Sequence, residues 1–146
     1  MLKKEFSITI IVEDTLSDGQ LGCEHGLALW VVYGNKKILF DTGQSDLIIK
    51  NANKIGIDLA LTDAIVLSHG HYDHTGGLPA VANIARQAKL YLHPAALEDK
   101  YSKKTLGAKP IGVSLCVREA IDKMKMIPTT SPLDIYRCLA DRTNPT

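Results

Sequence analysis

Ser68-His69-Gly70-His71-Tyr72-Asp73-His74-Thr75-Gly76-Gly77 places three of the chain's five histidines and an aspartate within six consecutive positions, in the pattern H-x-H-x-D-H. Directly upstream, Ala64 to Ser68 (AIVLS) is short, apolar and β-branched, which predicts a buried strand. The histidines therefore occupy the loop that leaves a strand, where sheets of mixed proteins expose their functional groups. Imidazole and carboxylate donors at this density suit zinc, iron or manganese. On an extended loop His69 and His71 alternate to one side and can share an ion. Asp73 and His74 follow where the loop bends and can reach a second ion. Gly70, Gly76 and Gly77 permit backbone paths that a side chain would obstruct. The competing reading is a set of solvated loop histidines, and three imidazoles with a carboxylate in this order behind a buried strand argue against it.

Outward from this stretch, the 146-residue chain suits one domain with a real core. With 45% hydrophobic and 23% charged residues it has the balance of a globular protein rather than a disordered one. A formal net charge of +1 provides no electrostatic footprint for nucleic acid or an anionic membrane. Aromatics at 5% leave little for base stacking. No apolar run approaches the roughly 18 residues of a membrane span. Cys23, Cys116 and Cys138 are far apart, without C-x-x-C, so neither a disulfide framework nor a cysteine zinc site is expected. With no export signal at Met1–Phe6, reduced thiols fit a cytoplasmic protein.

The remaining elements alternate in an α/β manner after an N-terminal meander. Phe6 to Val12 reads as a buried strand and Glu13 to Gly26 as a long loop. Leu27 to Tyr33 and Lys37 to Phe40 form a hairpin across Gly34-Asn35-Lys36. Ser45 caps a helix whose apolar face is Leu47, Ile48, Ala52 and Ile55, ended by Gly56. Leu78 to Ala88 is helical, Lys89 to Leu92 a strand, and Pro94 opens another helix. Gly107 to Gly112 reads as loop, Arg118 to Lys125 as a short helix, and Lys125 to Ile127 as the start of a strand. Trp30 belongs to the core, and the Lys103-Lys104 pair to a solvated face. His25 could line the site, although a solvated loop histidine is the plainer reading, and His93 has little claim on a metal.

LSHGHYDHTGGL (Leu67–Leu78), LFDTG (Leu39–Gly43) and the order strand, hairpin, helix, strand, motif resemble the N-terminal half of metallo-β-lactamase-fold hydrolases. EHGLALWV (Glu24–Val31) and LHPAAL (Leu92–Leu97) are most similar to the branch of dihydropterin ribofuranosylaminobenzene phosphate synthase-like proteins. The resemblance implies an αβ/βα sandwich and one or two divalent transition metals, zinc first, with iron or manganese as alternatives. It implies that His69 and His71 ligate one metal, and that Asp73 and His74 ligate a second. Asp73 would also orient or deprotonate the attacking water, and Asp41 would brace the histidine loop from beneath. The implied activity is hydrolysis of an ester, amide, lactone or phosphate-bearing small molecule.

The family's full sandwich has two similar halves, and its later ligands come from the second. Here no histidine follows His93. The expectation is therefore an N-terminal half at 1–136 with one sheet face uncovered, followed by an aberrant tail at 137–146. One permitted back-translation of Arg137–Thr146, read one nucleotide later, encodes Gly-Val-Trp-Leu-Thr-Gly-Gln-Ile-Pro, which is consistent with a frameshift. The alternative function is a truncated, non-catalytic half-domain that binds metal weakly and covers its exposed face by homo-oligomerisation or with a partner.

Overall fold

The computed structural model describes residues 5–15, 19–103 and 107–131. Phe6–Val12 (β1), Ala28–Tyr33 (β2) and Lys36–Phe40 (β3) form the antiparallel meander. The hairpin is tight, because Tyr33 pairs with Lys36 and only Gly34 and Asn35 lie between. Gly34 has φ +59°, the left-handed conformation that a primed two-residue turn requires. Ala64–Val66 (β4), Lys89–Leu92 (β5) and Lys125–Pro128 (β8) then add in parallel, so the six-stranded sheet runs β1-β2-β3-β4-β5-β8.

Parallel strands need crossovers, which are supplied by Leu47–Lys54 (α1), Tyr72–Thr75 (α2) with Leu78–Ile84 (α3), and Leu115–Asp122 (α4). The strand order advances in one direction, so right-handed crossovers place every helix on the same face. There Ile48, Ala52, Leu78, Val81, Val117 and Ile121 pack on Trp30, Leu39, Ile65 and Leu90 as one core. Asn51 is a polar member of the buried α1 face. Its amide donates to the Ile11 and Gly22 carbonyls, at 2.8 Å each, and its oxygen accepts from the Gly22 N–H at 3.0 Å. It thereby ties the loop after β1 to the helix. No helix among the described residues is long and apolar enough to cross a membrane.

Several element boundaries differ from the sequence reading. β1 is not uniformly buried: Ile11 and Val12 are core, but Phe6, Ile8 and Ile10 are exposed. Among the described residues their face carries no helix, and a register shift between Ile10 and Val12 turns only the end of the strand inward. The helix expected to reach Ala88 ends at Ile84, because the chain must turn back through Ala85–Ala88 to enter β5. The helix expected from Arg118 begins at Leu115, after Ser114. Lys109–Pro110 (β7) is not plain loop but pairs with Tyr101–Ser102 (β6). Asp46, rather than Ser45, is the residue before α1, although Ser45 Oγ still accepts from the Leu47 N–H at 3.1 Å. After Pro94 the chain makes a 3₁₀ turn, Pro94–Leu97, rather than an α-helix. Cys23 and Cys116 are exposed free thiols. Cys138, Lys104 and the tail at 137–146 lie outside the described residues.

Candidate metal centre

β3 and β4 are parallel neighbours in register through Phe40 and Val66, so the residues leaving their carboxyl ends emerge side by side. Asp41 N–H continues the ladder to the Val66 carbonyl at 2.9 Å. Asp41 then takes φ +58°, a left-handed conformation that aspartate tolerates better than most side chains. The turn points its fully buried carboxylate under the histidine loop. Oδ1 accepts the Ser68 N–H at 2.8 Å, while Oδ2 accepts the Ser68 hydroxyl at 2.6 Å and contacts His74 Nδ1 at 2.7 Å.

These contacts fix which imidazole nitrogens carry protons. A carboxylate only accepts, so His74 donates from Nδ1, and the neutral ring carries its lone pair on Nε2. Ser68 has one hydroxyl proton, and Asp41 receives it. Ser68 Oγ, 2.8 Å from His69 Nδ1, must therefore accept, which leaves the His69 lone pair on Nε2 as well. A single buried carboxylate thus sets the tautomer of two imidazoles, one directly and one through a hydroxyl.

The rings cluster closely. His69 lies 4.2 Å from His74 and 4.5 Å from His71, centroid to centroid. Burial, then the neighbouring His74 and His71, lower the His69 pKa below the ordinary 6.5, with Asp41 and Asp73 acting in the opposite direction. One donor atom from each of Asp41, His69 and His74 falls within 4.8 Å of the others. His71 contributes its carbonyl to the start of α2, accepting from the His74 and Thr75 N–H groups at 3.1 Å.

Asp73 and His74 sit on α2, the single helical turn into which the loop bends. Asp73 is almost fully buried, and its Oδ2 stands 3.6 Å from His74 Nε2 and 3.5 Å from His25 Nε2. His25 is therefore brought to the site from a distant loop. His93 Nδ1 accepts the Ala95 N–H at 3.1 Å and starts the 3₁₀ turn.

Backbone contact locks the loops together. Thr42 N–H and Oγ1 both donate to the His74 carbonyl, at 2.8 and 3.0 Å, and Gly77 N–H donates to Gly43 at 3.2 Å. A Cβ on Gly70 would come within 1.7 Å of the Ala96 carbonyl oxygen, so only glycine fits there. The sequence reading missed Ser68 and Glu24. Ser68 could have been flagged as the only hydroxyl between the buried strand and the first histidine. Glu24 bears on Gln44 and Ser45 from a distance of some 20 residues, which no local pattern reveals.

A metallo-β-lactamase superfamily model matches residues 21–138. The chain is 33% identical over 117 residues to an uncharacterized protein of Methanocaldococcus jannaschii, covering 80% of this chain and 44% of that one. It is 38% identical over 77 residues to the same organism's 7,8-dihydropterin-6-methyl-4-(β-D-ribofuranosyl)-aminobenzene-5′-phosphate synthase, covering 49% and 26%. A Thermotoga maritima structure assigned to the metallo-β-lactamases superposes with TM-score 0.55 at 16% identity, over 85% of this chain and 58% of the other, which speaks for the fold alone. The chain spans less than half the length of the curated relatives it matches. With a mixed six-stranded sheet, helices on one face and the histidine loop at the carboxyl edge, this chain belongs to the metallo-β-lactamase superfamily.

Proposed function

We propose that the chain carries a metal-dependent hydrolase centre, with His69, His71, Asp73 and His74 as the residues that hold one or two divalent transition ions. The observation that carries this reading is the Asp41–Ser68 network, which commits both Nδ1 atoms and leaves His69 and His74 with Nε2 lone pairs at one edge of the sheet. Neutral imidazoles with a nearby carboxylate fit zinc first, and iron or manganese next. Such an ion would supply Lewis acidity and a bound water whose pKa falls from 15.7 to about 7. Asp73 would orient or deprotonate the attacking water, and Asp41 would keep both imidazoles oriented. The substrate class is an ester, amide, lactone or phosphate-bearing small molecule.

The test is metal content after zinc loading and dialysis, followed by a hydrolysis panel. The wild-type chain is expected to retain at least about one equivalent. His71→Ala should lose metal and any activity together, and unchanged metal in that variant would overturn the reading. The exposed row Phe6, Ile8 and Ile10 favours a second reading, in which the chain acts as a half-domain that pairs with another copy of itself.

A further inference from the structure

We infer that His25 is itself a metal donor, completing with Asp73 and His74 a coordinating set that the histidine loop alone does not contain. The inference rests on the metal-centre reading above and extends it to a segment outside H-x-H-x-D-H.

The segment Glu24–Leu27 is held against the turn Gly43–Ser45 and against α2 on both sides of His25. The Glu24 carboxylate accepts from the Gln44 N–H at 2.8 Å, the Ser45 N–H at 3.0 Å and the Ser45 hydroxyl at 2.5 Å. Gly26, at φ +123°, lies so close to α2 that a Cβ there would come within 1.9 Å of the Asp73 carbonyl oxygen. The Leu27 carbonyl accepts from the Gly43 N–H at 2.9 Å. A backbone held this firmly on both sides has one side chain left to present, and that side chain is an imidazole.

Like His74, His25 turns its Nε2 toward Asp73. His74 turns Nδ1 to the Asp41 carboxylate and Nε2 toward Asp73 Oδ2. His25 turns Nδ1 to the Asp14 carboxylate, 3.7 Å away, and Nε2 to the same Asp73 oxygen. Asp73 Oδ2 is thus flanked by two Nε2 atoms at 3.5 and 3.6 Å; a hydrogen bond to Asp41 fixes the His74 ring, and Asp14 stands at ion-pair distance behind the His25 ring. Two nitrogens and one carboxylate oxygen form a donor set that zinc and its neighbours accept, and carboxylate-backed imidazoles are the usual form of such ligands. As the rings stand, these three donors do not all lie within 4.8 Å of one another, and the His25 side chain, 67% exposed, can swing inward to close the set without disturbing the core. A simple ion pair between His25 and Asp73 is the competing account.

Cobalt titration of the full chain separates the two, because its visible d–d bands report the donor set directly. Wild-type, His25→Ala, His25→Gln, His74→Ala and His93→Ala proteins would be compared for Co²⁺ affinity, band shape and imidazole count by X-ray absorption. His25→Ala and His25→Gln should each lose one imidazole and alter the bands. Affinity should fall by about a hundredfold, at or beyond the upper end of what losing a supporting partner costs. His93→Ala should match wild type. If both His25 variants keep wild-type affinity and spectrum while His74→Ala loses them, the ion-pair account holds and the centre stands without His25. If the wild-type chain binds no cobalt, the centre itself fails, and the assignment of His25 with it.

Discussion

Ser68 has one hydroxyl proton to donate, and Asp41 takes it, so the serine can serve His69 only as an acceptor. Replacing Ser68 by alanine keeps the backbone N–H bond to Asp41 but removes this relay and frees the His69 ring to rotate or change tautomer. Ser68→Ala should weaken zinc binding by about 10–100-fold in a chelator competition with little change in melting temperature. Affinity equal to wild type would show that the ring is held by other contacts. His69 also makes a pH prediction. Burial and the neighbouring imidazoles lower its pKa in the fold, whereas the unfolded chain keeps the ordinary 6.5. Below pH 6.5 the unfolded state therefore takes up this proton more readily, and the fold loses stability as pH falls toward the lowered value. Above pH 6.5 the effect vanishes. The metal-free wild type should lose more urea stability than His69→Gln between pH 7.5 and 5, and parallel losses would contradict the assignment.

At the scale of elements, the histidine loop is a wedge between β4, α2 and the turn Pro94–Leu97. Gly70 is where it touches that turn, with no room for a methyl group against the Ala96 carbonyl. Gly70→Ala should cost about 1–3 kcal/mol in urea unfolding, as overpacking does, and should lower metal affinity because His69 and His71 flank the displaced residue. A stable variant with intact metal binding would mean that the loop can move away freely. These elements were largely legible in the sequence: the Gly34-Asn35 turn, the short strand AIVLS and the dense histidines each have a local signature. The braces were not. Asp41 acts on residues 27 and 33 positions away, and Glu24 on one 21 positions away. Such pairings depend on which strands become neighbours, and spacing along a chain does not report that. For the same reason the faces of β1 were misjudged: FSITI alternates, but alternation does not say which of the two faces the helices will cover.

At the scale of the molecule, β1 places its polar residues, Ser7 and Thr9, in register with Val32 and Trp30 on the helix-covered side. Phe6, Ile8 and Ile10 face the other way, 64%, 55% and 52% exposed, a row large enough to favour association over solvation. That side of the sheet continues in register through Val31 and Ile38 to Ala64, which is buried with Val66 and Tyr91 in a second, smaller apolar cluster, so the exposed row is confined to the β1 end of the sheet. β1 is also the last strand of the described sheet, and FSITIIV contains neither the charge nor the proline that commonly protects an edge. A second copy brought up to this edge would cover the same residues on both chains at once, as a two-fold contact does. The chain should therefore sediment as a dimer at micromolar concentration. Ile8→Lys should sediment as a monomer, with unfolding free energy per chain within about 0.5 kcal/mol of the wild type once the dimer term is removed. Its zinc content should not change, because Ile8 is an exposed residue of the edge strand, whereas the histidine loop and Asp41 leave the ends of β4 and β3. A wild-type monomer across that concentration range would rule out self-pairing of this face, and loss of zinc in Ile8→Lys would mean that the covered face and the metal centre are coupled.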